Sequence, residues 1–374
     1  MKKVLQTGKF YPILGGVEKV MWDLTIALNG AGVPCDMLCA KFDDDIISEE
    51  DASAIDGHLV TCRALTKRAG TMIAPSMVSW LRKHCREYDI IHIHHPDPMA
   101  ALALRLSGYH GNVVLHWHSD IISQKMGLAC YMPLQRWLVK RAAVVIGTTP
   151  VYLDESPHLK ECQAPRIPVP IGIKPVSFDS VKAAGIRKEY NGKHIVLSVG
   201  RLVPYKDYNT LIGAAARLPE DYEFVIVGTG PLLESLTATA GMLGVADRIH
   251  FKGRLGDDDL HAYMAACDVL ALTSSMKTEA FGIVQIEAFS LGKPVVSTMI
   301  PGSGVSWVNA DGISGLTVPV GDPEAAADAI RKICEDPSLK SRLEAGAASR
   351  FAEMFEIEQM KNKIISVYEN YFNF

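Results

Sequence analysis

Two acids stand eight residues apart in Glu279-Ala-Phe-Gly-Ile-Val-Gln-Ile-Glu287, just after a strand-like run, VLALTSS, and its loop. A helix is predicted to begin near Phe281-Gly282. The free N–H groups at such a start, together with the helix dipole, make a well for an anion. With Glu287 about two turns inside, the carboxylates are at most roughly 12 Å apart. That span fits a diphosphate on the helix start with a sugar ring on either side, each carboxylate holding ring hydroxyls. A second pattern, Gly200-Arg201-Leu-Val-Pro-Tyr-Lys206, follows the run HIVLSVG. Glycine at a strand end lets a ligand approach the backbone, and two cations five residues apart can converge on one diphosphate. Arg201 and Lys206 can also stabilise charge that builds on a leaving phosphate, without a metal. Taken singly, each feature has an ordinary reading: a first-turn acid worth about 0.3–1 kcal/mol, a surface helix glutamate, two solvated loop cations. Together they converge on one chemistry.

The elements that must hold these groups are short apolar runs alternating with helical patterns, the mark of repeated βα units around parallel sheets. In the first half KKVLQTG, VPCDMLCA, DIIHIHH, NVVLHWH and AAVVIGT are predicted strands, and GVEKVMWDLTIALNGAG is a helix stopped by glycine. HIVLSVG, YEFVIVG, RIHFKG, VLALTSS, PVVSTM and GLTVPV repeat the strand signal in the second half. Between the two series, residues 165–193 are proline-rich and weakly periodic and read as a linker. The expected organisation is α/β, with doubly wound domains over 1–175 and 176–355 and a ligand in the crevice between them. The segment 351–372 spaces Phe355, Met360, Ile364, Tyr368 and Phe372 by four or five residues and reads as one amphipathic helix. Val-Gly228-Thr-Gly230-Pro tempts a dinucleotide reading but lacks the third glycine, and no G-x4-G-K-[ST] loop occurs.

At 374 residues, 48% hydrophobic and 21% charged, the chain exceeds one ordinary core and reads as globular. The net charge of −4 gives no ground for a nucleic-acid partner. The first half is slightly basic and the second acidic. The cysteines are scattered, without a C-x-x-C pair or spaced histidines, so free thiols in a reducing cytoplasm are expected and zinc is not. No apolar run reaches the roughly 18 residues of a membrane span, and the start lacks the apolar core of a signal peptide. The segments 75–88 and 133–142 mix tryptophan and leucine with basic residues. They read either as core-packed helices with snorkelling cations or as helices resting on a membrane surface.

With these motifs in this order, the chain resembles the family-4 retaining glycosyltransferases over nearly its whole length. The resemblance is carried by Gly15-Gly16 with Glu18, the G-R-x5-K pattern, and V-G-x-G-P at 227–231. The E-x7-E motif continuing into Leu-Gly-Lys-Pro-Val-Val, and D-G-x-x-G-L-x-V-P-x-G-D at 311–322, complete it. It implies the GT-B fold: two Rossmann-like domains facing a central cleft, the first for the acceptor and the second for a nucleotide sugar. A crossover helix over 356–374 would pack back on the first. It implies Arg201 and Lys206 on the donor diphosphate, Glu279 on donor-sugar hydroxyls, backbone contacts from Phe281, Gly282 and Ile283, and Glu287 on the ribose. Gly15 and Gly16 would meet the diphosphate through the backbone, and Arg254, at the end of RIHFKG, is placed near the base. The family's histidine matches His118 of VVLHWHSD, which would orient and stabilise at the reacting centre; His94, His95 and His116 also lie near strand ends. Neither a metal nor a cofactor is implied.

The donor, a substrate such as GDP-mannose or a UDP-hexose, would give a hexosyl unit with retention to a sugar or a lipid-linked saccharide. The setting implied is cell-surface polysaccharide or lipopolysaccharide assembly, in the cytoplasm or peripheral to the inner membrane. A nucleotide-sugar epimerase, a sucrose- or sucrose-phosphate-forming relative, and a non-catalytic sugar-nucleotide-binding subunit are the alternatives. The last would have lost the cations or acids that are present here.

Overall fold

The computed structural model describes residues 2–13, 15–68, 70–121 and 125–374, with the side chains of 125–128 and 130 left aside. The chain divides into two compact units: Met1–Ile173 with Ile357–Phe374, and Lys174–Glu356.

The first unit is built from β1 (Val4–Phe10), β2 (Cys35–Lys41), β3 (Leu59–Arg63), the hairpin β4 (Thr66–Arg68) and β5 (Thr71–Ile73), β6 (Ile90–His95), β7 (Asn112–Trp117), β8 (Val144–Gly147) and β9 (Arg166–Pro168). Apart from the hairpin these form one parallel sheet in the order β3-β2-β1-β6-β7-β8-β9. Every residue of β6 is buried, as strands covered on both faces must be, which is why DIIHIHH shows no alternation. Crossover helices start where a capping side chain precedes proline. Asp97 accepts from the N–H groups of Met99 and Ala100 ahead of helix Pro98–Ser107, and Thr149 from Tyr152 N–H ahead of helix Pro150–Glu155.

The second unit carries β10 (His194–Val199), β11 (Tyr222–Val227), β12 (Ile249–Gly253), β13 (Val269–Leu272), β14 (Val295–Thr298) and β15 (Gly315–Val318). All are parallel, in the order β12-β11-β10-β13-β14-β15. Val196, Phe224, Ile226, Leu211, Ile212 and Ile330 lie in its core. The buried Asp268 pins the start of β10: its carboxylate accepts from Ile195 N–H (2.9 Å), Arg187 (2.7 Å) and Lys340 (2.6 Å). Burial raises the pKa of that carboxyl, but Lys340, the amide and Arg187 outweigh burial and hold it below the usual carboxylate range.

In both sheets the first strand lies inside, and the chain winds outward on one side before returning on the other. The switch points fall between β1 and β6 and between β10 and β13. Ligands of open parallel sheets bind outside the carboxyl ends of strands at such points.

Three expectations need correction. Residues 165–193 are not a plain linker: β9 pairs with β8, and helix Ser180–Glu189 is capped by Asp179. A three-residue edge strand can end in proline because no neighbour needs its N–H. The segment 351–372 is not one helix. Phe351–Phe355 forms a π-turn, Glu356 is extended (ψ 145°), and helix Ile357–Phe372 follows. The five-residue step from Phe355 to Met360 marks this break, since a continuous apolar stripe needs steps of three or four. Phe355 accordingly packs with Phe281, Phe289 and Trp307 in the second unit. Met360, Ile364, Tyr368 and Phe372 are buried in the first, where the helix packs on helix Gly16–Gly30. The five-residue edge strand β3, half-buried, and the three-residue strands of the hairpin β4–β5 are too short to carry a clear periodic signal and are missing from the sequence reading.

Seven cysteines are free, five of them buried; Cys130 lies outside the described side chains. No helix among the described residues is long and apolar enough to cross a membrane. In helix Ser76–His84, Met77 and Leu81 are buried and Trp80 stacks on His84. In helix Lys125–Arg141, Leu138 and Val139 are buried and Trp137 lies beneath Arg105.

Candidate active site

Gly200 follows β10 with φ 155°, and a Cβ there would come within 3.0 Å of Lys206 Cε. The loop turns through Pro204–Lys206 and is closed by Tyr208, whose hydroxyl donates to Gly200 O at 3.0 Å. The loop after β13 is stitched to it: Ser275 N–H donates to Tyr205 O (2.8 Å) and the Thr273 hydroxyl to Lys206 O (3.2 Å). These bonds bring the two sequence motifs together. Lys206 Nζ lies 2.5 Å from Glu279 Oε2, with the two side chains only 11% and 12% exposed.

Ser274 donates to the same oxygen of Glu279 at 2.9 Å. Oε1 takes no hydrogen bond among the described residues, so the carboxylate is oriented through one oxygen and can accept through the other. Ser303 donates to Glu279 O, and Gly304 N–H to Ala280 O, which fixes the backbone ahead of the helix.

Helix Ile283–Ser290 starts from Gly282, at φ 74° and ψ 68°, with no side chain capping it. A Cβ on Gly282 would lie 2.8 Å from both Gln285 Nε2 and Leu272 Cδ2. Of its first-turn N–H groups, that of Gln285 turns back to Gly282 O (2.9 Å), while those of Ile283 and Val284 have no partner among the described residues. Phe281 is buried against Phe355, so only its backbone is available to a ligand. Ile283 is half-buried, as is Glu287 in the second turn. Arg201 is exposed and its side chain has no partner among the described residues. Arg254 is exposed just beyond β12, the edge strand two places from β10.

Gly228 and Gly230 serve the same loop from behind. A Cβ on Gly228 would fall 1.9 Å from Gly200 O, and one on Gly230 would fall 2.4 Å from Leu202 O. The GxG therefore lets two backbones approach each other, which accounts for it without any nucleotide.

Three predicted residues belong to the first unit. Gly15 caps helix Gly16–Gly30 and Gly16 opens it; both are exposed. Glu18 folds back over that turn, and a Cβ at Gly15 would meet its Oε2 at 2.2 Å, so a side chain there would push the carboxylate aside. His118 is buried just after β7. Its Nε2 lies 2.8 Å from His94 Nδ1, its backbone N–H donates to His95 O at 3.1 Å, and its ring stacks on His116 at 4.1 Å. Burial first, then His116 and Lys9, push its pKa well below the ordinary histidine value, so the ring is neutral.

Sequence reasoning missed Ser274 and Ser303, which hold Glu279. Ser274 was visible in VLALTSS and Ser303 in the PGSGV that follows the next strand, but nothing distinguished them from ordinary loop serines. Among the described residues His92, His94 and His116 bring ring nitrogens within 4.8 Å of one another, with no carboxylate in the group. Their nitrogens are largely engaged in hydrogen bonds: His92 with Tyr368 and His116, His94 with His118 and Gln6.

Two doubly wound parallel-sheet units in tandem define an α/β protein of the GT-B class. Residues 182–350 match the family described as glycosyl transferases group 1, and residues 14–169 match glycosyltransferase family 4. The O-antigen chain mannosyltransferase C of Escherichia coli is 29% identical over 365 residues, 96% of this chain and 95% of the relative. The D-rhamnosyltransferase WbpZ of Pseudomonas aeruginosa is 29% identical over 91% of this chain and 88% of its own. Among solved structures, Anabaena Alr3699/HepE in complex with UDP superposes with a TM-score of 0.80 at 20% identity, covering 98% of this chain and all (100%) of that one. Sucrose-phosphate synthase from Thermosynechococcus elongatus gives 0.80 at 22% identity, covering 100% of both. The chain is a glycosyltransferase of the GT-B fold, its first half similar to glycosyltransferase family 4 and its second half to the glycosyl transferases of group 1.

Proposed function

We propose that the protein moves a hexosyl unit from a nucleoside diphosphate sugar to a saccharide or lipid-linked saccharide, with retention of anomeric configuration and without a metal. Lys206 and Arg201 hold the diphosphate, helped by the open helix start at Gly282–Ile283. Glu279 takes hydroxyls of the transferred sugar, Glu287 the ribose, and Arg254 lies toward the base. Gly15 and Gly16 approach the diphosphate through the backbone, and His118 orients the sugar. The domain around the first sheet takes the acceptor. In the step itself the bond from the anomeric carbon to the phosphate oxygen breaks as the acceptor oxygen bonds to that carbon on the same face. The acceptor proton passes to the departing phosphate, whose added negative charge meets two cations already in place.

The observation that carries this reading is the Lys206–Glu279 pair at the β10/β13 switch point, with Glu279 Oε1 unclaimed. The two full-length relatives named above act, by their names, in glycosyl transfer, one of them on O-antigen; we assign this chain to surface-polysaccharide assembly on that basis. We place it in the cytoplasm, in peripheral contact with the inner membrane. The buried apolar faces of Ser76–His84 and Lys125–Arg141 turn inward, so what supports the contact is the basic flank of Arg82, Lys83, Arg86, Arg136 and Lys140.

A thermal-shift panel of GDP-, UDP- and ADP-sugars, followed by product analysis with lipid-linked acceptors, tests the proposal. One nucleotide series should raise the melting temperature. With its sugar and an acceptor, nuclear magnetic resonance should show a product of the donor's own anomeric configuration, formed equally well in EDTA. An inverted product removes the retaining mechanism. Conversion of the sugar nucleotide without an acceptor points instead to an epimerase.

A further inference from the structure

We propose that Gln6 and His94 are positioning residues: they hold His118 as the tautomer protonated on Nε2, so that its bare Nδ1 is offered to a substrate hydroxyl. The inference rests on the substrate-side role given to His118 above.

The three residues come from adjacent strands, Gln6 on β1, His94 on β6 and His118 just past β7, and all are buried. The Gln6 amide is oriented by its Nε2, which points at Cys35 Sγ at 3.6 Å. Its Oε1 then faces His94 Nε2 at 2.6 Å. An amide oxygen only accepts, so His94 Nε2 carries the proton. A neutral imidazole has one N–H, so His94 Nδ1 is an acceptor. The partner at 2.8 Å, His118 Nε2, must then donate. His118 has spent its single proton on His94, and its Nδ1 is a lone pair.

That nitrogen is fully buried and has no hydrogen-bond partner among the described residues. Buried polar atoms without a partner are uncommon in folded proteins, because each forfeits its hydration. A group from outside the chain that donates an O–H removes the deficit; an anionic oxygen would be repelled by the lone pair. The ring cannot easily turn to exchange its nitrogens. His116 covers one of its faces, at 4.1 Å and 20°, and His94 holds its edge, the nearly coplanar rings (12°) joined by the 2.8 Å hydrogen bond with their centroids 5.1 Å apart. Both His94 and His118 stay uncharged: burial dominates, and the neighbouring imidazoles and Lys9 add to it. Protonation of either ring would break the order of donors, so the neutral state is what the relay needs.

The relay is read directly from histidine nitrogen resonances of the full chain at pH 7.5, with His118 assigned by its loss in H118A. The wild type should show His118 protonated on Nε2. In H94L, which has no acceptor, His118 should become a mixture of tautomers, and kcat should fall about tenfold to a hundredfold with a smaller change in KM, the loss of one hydrogen bond to a buried group. H94N places an amide oxygen near the lost Nδ1 and should keep His118 on Nε2–H, with kcat within about threefold of wild type on the same reasoning. Q6L should weaken the lock through His94.

A wild-type His118 protonated on Nδ1 overturns the proposal. So does an equal loss in H94L and H94N with the His118 tautomer unchanged, which would mean that His94 merely supports the fold. Zinc added alone that shifts the His92, His94 and His116 signals together would reassign the cluster to metal binding and also overturn it. If H94L fails to fold, the wild-type tautomer and H94N still decide. An H118A variant of normal activity would instead remove the role of His118, while leaving the tautomer measurement intact.

Discussion

Replacing Lys206 by alanine is expected to lower kcat by about 10²–10³ at saturating donor and acceptor, the scale of one preorganised charge lost from a transition state. The ammonium sits 2.5 Å from Glu279 and is largely removed from solvent, so its field is poorly screened. It is needed most when the sugar leaves and the diphosphate gains charge, so the effect should fall on kcat more than on KM. K206R should not rescue: the larger guanidinium would have to fit against Gly200, where even a Cβ would be 3.0 Å from the lysine chain. E279A removes the other half of the pair. It frees Ser274 and leaves Lys206 without its counter-charge, so both turnover and melting temperature should fall. The double variant should lose less than the two single losses combined, because the groups act as a unit. Steady-state kinetics with melting curves on the three variants checks this; near-normal turnover in K206A and E279A removes the site assignment.

Acidification is expected to unfold the first unit far above the pH at which carboxylates titrate. His92, His94, His95, His116 and His118 are all buried in it, and burial is the largest cause holding each below the ordinary value, down to about 3 for His95 and His116. The unfolded chain takes up these protons near pH 6.5, whereas the folded chain refuses them. Stability from the cluster is therefore complete above pH 6.5 and is lost as pH falls from there toward the folded values. Each histidine costs about 1.4 kcal/mol per pH unit in that window, and five titrating together approach about 7 kcal/mol per unit as an upper limit. That is comparable with the whole stability of a domain. Trp117, stacked on His95 at 3.7 Å, is a built-in fluorescence probe of this region. Melting should move down steeply between pH 6.5 and 5, and H116Q should flatten the dependence. A melting temperature constant over that range would contradict the buried, neutral cluster.

The parts of the molecule legible in the sequence are those where one residue type serves one local purpose. Glu279 and Lys206 could be paired on paper because each stands a fixed step beyond an apolar strand, and strand ends at a switch point converge. The break at Glu356 left its mark in an over-long step between Phe355 and Met360, a mark easily passed over while all the residues are apolar. The supports of the site were not legible. Ser274 reaches Glu279, and Gln6 reaches His94 across 88 residues, through pairings that exist only once β1 lies beside β6 and the β13 loop has turned. The same holds for Gly228. Its resemblance to a nucleotide loop dissolves when the neighbouring backbone at Gly200 is seen to need the space.

The most direct test of the account is a crystal structure of the whole chain with its nucleoside diphosphate sugar bound. The diphosphate should lie within hydrogen-bonding reach of Lys206 Nζ, the Arg201 guanidinium and the N–H groups at Gly282–Ile283, with a hydroxyl of the sugar on Glu279 Oε1. A diphosphate seated on Gly228–Gly230, or a sugar out of reach of Glu279, would contradict it.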